Sequence, residues 1–128
     1  MIYTLISPLS LPQTKTKKFA FNMNIYRNAH FRTLNTMKIR YKEYMKEQIL
    51  KLPKLDKVEI TYTLYPKSRR RTDIGNVVAI HKKFVEDALV GYGILVDDDY
   101  LHIIANHEFF GEVLPKNPHV KIEIKPIT

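Results

Sequence analysis

Val58-Glu59-Ile60-Thr61-Tyr62-Thr63-Leu64-Tyr65 decides how this chain is read. Four apolar side chains alternate with four that are polar or amphipathic, the period of a strand with one buried face. Pro66 closes it, because proline cannot donate to a ladder. A basic run, Arg69-Arg70-Arg71, follows at its exit. Val77, Ile80, Phe84, Ala88 and Leu89 then recur at helical spacing, which predicts a helix from Gly75 or Asn76 to Val90 that packs on the sheet. Gly91 and Gly93 are its stop signals. Two more strands are predicted at Leu101–Phe110 and His119–Ile124, the second with a clean Val120, Ile122, Ile124 alternation.

Upstream the pattern is weaker. Ile2–Ile6 reads as a short strand stopped by Pro8 and Pro12, and Phe19–Asn24 as another. Tyr26–Leu34 shows no clear period and reads as a loop. Its mix of aromatics, amides and arginines suits nucleic-acid contact as well as an ordinary polar surface. Thr36 is the predicted cap of a helix from Met37 to Leu50, ended by Pro53. Its apolar stripe is Ile39, Tyr41 or Met45, Ile49 and Leu50, with Lys38, Arg40, Lys42, Lys46 and Glu47 toward water. The expected fold is a single α+β domain over 1–128, with a mostly antiparallel sheet and two main helices.

With 128 residues, 45% of them hydrophobic and 27% charged, the chain suits one folded domain. Its formal net charge of +8 points to a polyanionic partner, nucleic acid or an anionic membrane surface. There is no cysteine, which excludes disulfides and thiolate metal sites. The N-terminus lacks the pattern of a signal peptide, and no apolar run approaches the ~18 residues of a membrane span. A soluble, intracellular protein with no membrane association is expected.

Two acidic features can carry chemistry. Asp73 stands between the basic exit of the strand and the start of the helix, and Asp97-Asp98-Asp99 follows the helix. Taken separately, Asp73 reads as a carboxylate favoured by a helix N-terminus and the triplet as a solvated turn. Taken with the arginines, they have the composition of a site for metal-assisted phosphodiester hydrolysis: acidic oxygens for Mg²⁺ and cations for phosphate. His81, His102, His107 and His119 show no zinc-type spacing and read as surface or core histidines. The eight tyrosines read as half-buried strand residues rather than a base-stacking platform.

The stretch Arg69–Tyr100 contains R-R-R-T-D-I-G-N, then K-K-F-V-E-D-A-L, then G-I-L-V-D-D-D-Y. It resembles the RusA family of Holliday junction resolvases, whose members typically show R-x-D-x-D-N, a helix with K-x-x-x-D-A-L, and a D-D pair some ten residues on. Here Asp87-Ala88-Leu89 leads to Asp97-Asp98. The resemblance covers about a third of the chain. It implies a small homodimeric, Mg²⁺-dependent endonuclease of DNA recombination and repair, which binds four-way junctions by structure and nicks opposing strands symmetrically. Such proteins are frequent in phages and prophages, so the cytoplasm of a bacterial cell is the location implied. By the same likeness Asp73 and Asp98 are metal ligands, Asp97 is a neighbouring or supporting ligand, and Lys83 is the phosphate-facing lysine, with Lys82 its rival. Lys67, Arg69, Arg70 and Arg71 would hold the DNA backbone.

Two departures stand out. Gly75 occupies the place of the second motif aspartate and has no ligating atom, so Asp97, Asp99 or water must complete the shell. Glycine there can also hold a backbone shape that aspartate resists. The interval from Asp73 to Asp87 is longer by about one helical turn, which rotates downstream side chains by only about 40° and adds about 6 Å. The missing carboxylate keeps open an alternative, a relative that binds branched DNA without cutting it. A basic subunit of a larger assembly is a third reading.

Overall fold

The computed structural model describes residues 1–70 and 73–127. Six strands and three helices follow in the order β1 (Tyr3–Pro8), β2 (Ser10–Pro12), β3 (Lys18–Ala20), α1 (Met23–Asn28), α2 (Phe31–Ile49), β4 (Val58–Tyr65), α3 (Ile74–Gly91), β5 (Ile103–Phe110) and β6 (His119–Pro126). The main sheet has the order β1-β6-β4-β5, and β2 and β3 form a separate hairpin. The β1/β6 and β6/β4 pairs are antiparallel. β4 and β5 run parallel, joined through α3. The sheet is therefore mostly antiparallel with one parallel pair, and the α+β expectation holds.

β4 behaves as its sequence predicts. Val58, Ile60, Tyr62 and Leu64 are buried beneath the helices, and Glu59, Thr61, Thr63 and Tyr65 lie half-buried on the other face. β6 repeats this with Val120, Ile122 and Ile124. In α2 the buried residues are Met37, Tyr41, Met45 and Ile49, spaced four apart on one stripe. Ile39 and Leu50, expected on that stripe, are exposed.

The region from Asn22 to Leu34 differs from its reading as strand and loop. Asn22 Oδ1 accepts from the Ile25 N–H at 2.9 Å and starts α1. His30 Nδ1 accepts from the Arg32 N–H at 3.2 Å and starts α2, six residues before the expected cap. Thr36 lies inside that helix, its hydroxyl donating to the Arg32 carbonyl. α1 has one and a half turns and no buried residue, so it has no apolar period to detect. Its signal was the cap alone.

A polar group of three closes the core between β1, α2 and α3. Ser7 Oγ lies 2.7 Å from Tyr41 Oη and 2.7 Å from His81 Nδ1. His81 is fully buried and its Nε2 has no hydrogen-bond partner among the described residues. The ring of Phe21 packs edge-on against Tyr41, His81 and Phe84, with centroids 5.3–5.5 Å away. Burial drives the His81 imidazole down to a pKa of about 3, since this pocket has nothing to solvate an imidazolium.

A histidine held neutral in the fold but free to protonate near its ordinary value when unfolded makes acid destabilising. The penalty begins as pH drops below about 6.5 and grows by about 1.4 kcal/mol per unit toward the folded value. In His81→Leu that penalty is absent, and Ser7 keeps Tyr41 as its partner. Denaturant unfolding from pH 7 to pH 4 should therefore show the stability difference moving in the variant's favour at about that slope. A pH-independent difference would mean that His81 is not buried neutral.

Candidate functional site

α3 spaces the acidic residues. Asp73 is its N-cap, with Oδ1 accepting the Gly75 N–H at 3.0 Å. The helix ends at Gly91, and Gly93 turns the chain in the left-handed conformation (φ 76°). The Ile94 N–H then returns to the Leu89 carbonyl at 2.9 Å, a glycine-terminated helix end. Buried Ile94 and Leu95 anchor the loop beyond, and the Leu55 N–H donates to the Ile94 carbonyl. This anchored loop folds Asp97 and Asp98 back along the helix.

Asp98 borders two recesses. One, of about 340 Å³, lies among Met23, Lys82, Lys83, Glu86, Asp87 and Asp98. The other, of about 470 Å³, includes Lys38, Lys42, Asp87, Asp97 and Asp98. Partial burial and the hydrogen bond shared with Asp97 raise the Asp98 carboxyl above its usual range, with like charge from Asp97 and Asp87 adding to this. Asp97 Oδ1 also accepts the Asp98 N–H at 2.8 Å.

Glu86 is the residue that sequence reading missed. It is 7% exposed, and Tyr62 donates its hydroxyl to Glu86 Oε2 at 3.1 Å. Burial lifts its pKa to about 7, with Asp98 and Asp87 pushing it the same way and Lys82 opposing. Its signal was a carboxylate beside the buried Val85 and Ala88, one turn beyond Lys82; without the Asp98 loop in place, that looks like a solvated helix charge. Lys38 and Lys42, read as water-facing, also border the Asp98 loop.

The other candidates divide by position. Asp99 belongs to the turn: it accepts from the Leu101 N–H at 3.1 Å, and its hydrogen bond with His102 Nδ1 at 2.7 Å holds its carboxyl low. Lys83 Nζ sits 5.8 Å from the Tyr26 ring centroid, a cation–π contact. Asp87 pairs with Lys38 at 3.8 Å. Lys67 and Arg70 line a shallow hollow beside Phe21, Leu64 and Val77, near the Asp73 end of α3. Arg69 is exposed in the same segment. Arg71, the last of the basic run, lies outside the described residues.

Asp73 and Asp98 are not brought together within one chain. Lys82, beside Asp98, stands about 14 Å along the helix axis from the Asp73 cap at 1.5 Å per residue. Among the described residues no three carboxylate or imidazole groups form a ready-made metal cage. Gly75, in the first turn of α3, has no positive φ; a Cβ there would meet Asp73 Oδ1 at 3.4 Å, an ordinary contact. An aspartate is therefore sterically admissible at that position, contrary to the expectation of a special backbone shape.

The Asp98 end gathers carboxylates, without a group of three poised on one point among the described residues. Asp97, Asp98, Glu86 and Asp87 offer hard oxygen ligands. Mg²⁺ characteristically takes one or two carboxylates, keeping waters and substrate phosphate for the rest. Burial raises the carboxyls of Asp98 and Glu86, and their acidic neighbours add to the shift. Compared with models of known protein families and with curated proteins, the chain matches none.

The raised Glu86 carboxyl has a consequence for stability. Its folded form prefers the proton, so a cost appears as pH rises above about 4.5 and is complete once pH passes about 7. Glu86→Gln, which still accepts from Tyr62, removes that cost. Unfolding measurements without metal should find the variant level with wild type near pH 4.5 and more stable by about 2–3 kcal/mol at pH 8. Equal stability at pH 8 would place Glu86 in water.

Proposed function

We propose that this protein is an Mg²⁺-dependent, structure-specific endonuclease that nicks branched DNA, four-way junctions above all. The observation that carries this reading is the convergence of Asp98, Glu86, Lys82 and Lys83 on one recess, in a chain of net charge +8. Oxygen donors for a metal and cations for a phosphate share one wall there. Asp98 and Glu86 would hold the ion, with Asp97 in support. Bound Mg²⁺ would polarise the phosphate and make a coordinated water more acidic.

The chain's own side chains do the rest. Lys82, whose charge acts on the Glu86 carboxyl, would meet negative charge developing on the phosphate oxygens. Lys83, held over Tyr26, flanks it. Lys67, Arg69 and Arg70 lie near the far end of α3, about 14 Å from Lys82 along the axis. That distance is about four base-pair steps at 3.4 Å, so both ends of the helix could engage one DNA arm. Contacts of this kind give affinity without reading sequence, as a nuclease that recognises shape requires. Paired nicks in opposing strands need two copies of the site, which agrees with the homodimer implied by the RusA resemblance.

The absent carboxylate at Gly75 and the distance between Asp73 and Asp98 favour one rival: a protein that binds junctions and does not cut them. A synthetic four-way junction separates the two. Wild type should cleave it in Mg²⁺, and Asp98→Asn should lose at least 100-fold in rate while binding as tightly or more tightly, since a charge that repels phosphate is gone. Tight junction binding by wild type with no cleavage in Mg²⁺ or Mn²⁺ would overturn the nuclease reading. Asp73→Asn keeps a good helix cap and removes only the charge. The RusA-like reading expects it to lose cleavage as well; retained cleavage would confine Asp73 to capping.

Arg69 tests the electrostatic arm. Losing one phosphate contact should flatten the slope of log affinity against log salt by about 0.9 on a duplex arm. Binding of Arg69→Ala across a salt series measures this, and an unchanged slope would remove Arg69 from the DNA surface.

A further inference from the structure

The main sheet has one covered face and one bare one. Leu5, Ile60, Leu64, Ile122 and the other buried side chains of its strands share the face beneath the helices. The opposite face carries no buried residue among those described. Register places two rows on it at the Pro66 end. One runs Phe109, Thr63, Lys121, Ile6 across β5, β4, β6 and β1. The next runs Tyr65, His119, Pro8.

These rows are aromatic and cationic. The Tyr65 and His119 rings are stacked, with centroids 4.9 Å apart and planes 28° from parallel. Lys121 Nζ lies 5.8 Å from the Tyr65 centroid. A Cβ at position 111 would run into the Tyr65 ring, so glycine there lets the ring lie over the end of β5. Phe109 beside it is 56% exposed. The carboxylates of this face, Glu59 and Glu123, stand in the rows farther from Pro66, where they meet His107 and Lys121. At the Pro66 end the exposed Lys67 leaves the strand. The Leu114 N–H donates to the Pro66 carbonyl at 2.8 Å and fastens there the loop that carries Lys116 and Glu112.

We propose that the bare face binds an unpaired DNA strand, with bases stacked on Phe109 and on the Tyr65–His119 pair and phosphates met by Lys121 and Lys67. A base in a duplex spends both its π faces on its neighbours, whereas an unpaired base has a face to offer an aromatic ring. Stacking of this kind tolerates any sequence, and cations beside the rings follow the backbone. A four-stranded sheet is a suitable platform, since its aromatics can stack two or three bases. Phe109 and His119 are two strands and one row apart, about 12 Å, which separates two stacking positions. Charge selects this occupant over a second copy, because two chains of net charge +8 meeting here would set Lys121 and Lys67 against their own kind. The choice of DNA rests on the nuclease reading. The binding itself needs neither metal nor Asp98, which lies on the helix side of the sheet.

The test is fluorescence anisotropy without metal, using a labelled oligothymidine of about 20 nucleotides and a blunt duplex of equal length. Wild type should bind the oligothymidine, and Phe109→Ala should weaken that binding about 10-fold while leaving the duplex unchanged. Phe109→Tyr should restore it. Lys121→Gln should flatten the slope of log affinity against log salt by about 0.7 on the single strand. Undiminished oligothymidine binding in Phe109→Ala, or an equal loss on the duplex, would overturn the proposal. Sedimentation of Phe109→Ala should match the wild type; a variant that loses a dimer together with the oligonucleotide would mean that a second copy covers this face, and would also overturn it. A wild type that cuts junctions yet ignores oligothymidine would sink this inference and leave the nuclease reading standing. Phe109-dependent oligothymidine binding in a protein that cuts nothing would do the reverse.

Discussion

The structure depends on one constraint, the packing of α3 across β4. Tyr62, Ile60 and Leu64 on the strand and Ile80, Phe84, Ala88 and Leu89 on the helix are buried together, and α3 delivers the chain to a parallel partner, β5. A parallel pair cannot be closed by a tight turn and needs a crossover of this kind. The crossover sends Asp73 to one end of the helix and requires the chain to turn back at the other. Gly93 makes that turn with a backbone angle that side-chain-bearing residues rarely adopt. The recess at Asp98 is thus a by-product of how β4 and β5 are connected.

Burial of polar groups against this frame produces the unusual electrostatics. Tyr62 places a hydroxyl under α3, and Glu86 comes down to meet it. The carboxyl then sits at the border of core and recess, desolvated on one side and near Asp98 on the other. His81 is displaced in the opposite direction by the same cause, because burial penalises whichever form is charged. One of the two groups opens on a surface and the other does not, which separates a candidate site from a structural polar cluster.

Charge is distributed to match. Lysines from α2 and α3 surround the Asp98 loop, and the Lys67–Arg70 segment leaves β4 at the far end of α3. Between these regions the sheet ends in a strand free of lysine and arginine.

Local pattern alone determined much of this protein. The alternation of Val58–Tyr65, the helical spacing of Val77–Leu89 and the glycines that end that helix are properties of consecutive residues, and they appear in the fold where their periods require. The candidate acidic residues and the basic run were equally legible, because residue type is visible without coordinates. α1 was not legible, since a helix of six residues with nothing buried leaves no period. Nor was the role of Glu86, which depends on Tyr62 lying beneath it and Asp98 folding back beside it. Only the tertiary structure decided that Asp73 and Asp98 stand apart and that Asp98 keeps company with Glu86, Lys82 and Lys83. The physical reason is that periodicity reports which way a side chain faces within its own element. Which elements meet is settled by non-local packing and chain connection, and these leave no mark on spacing.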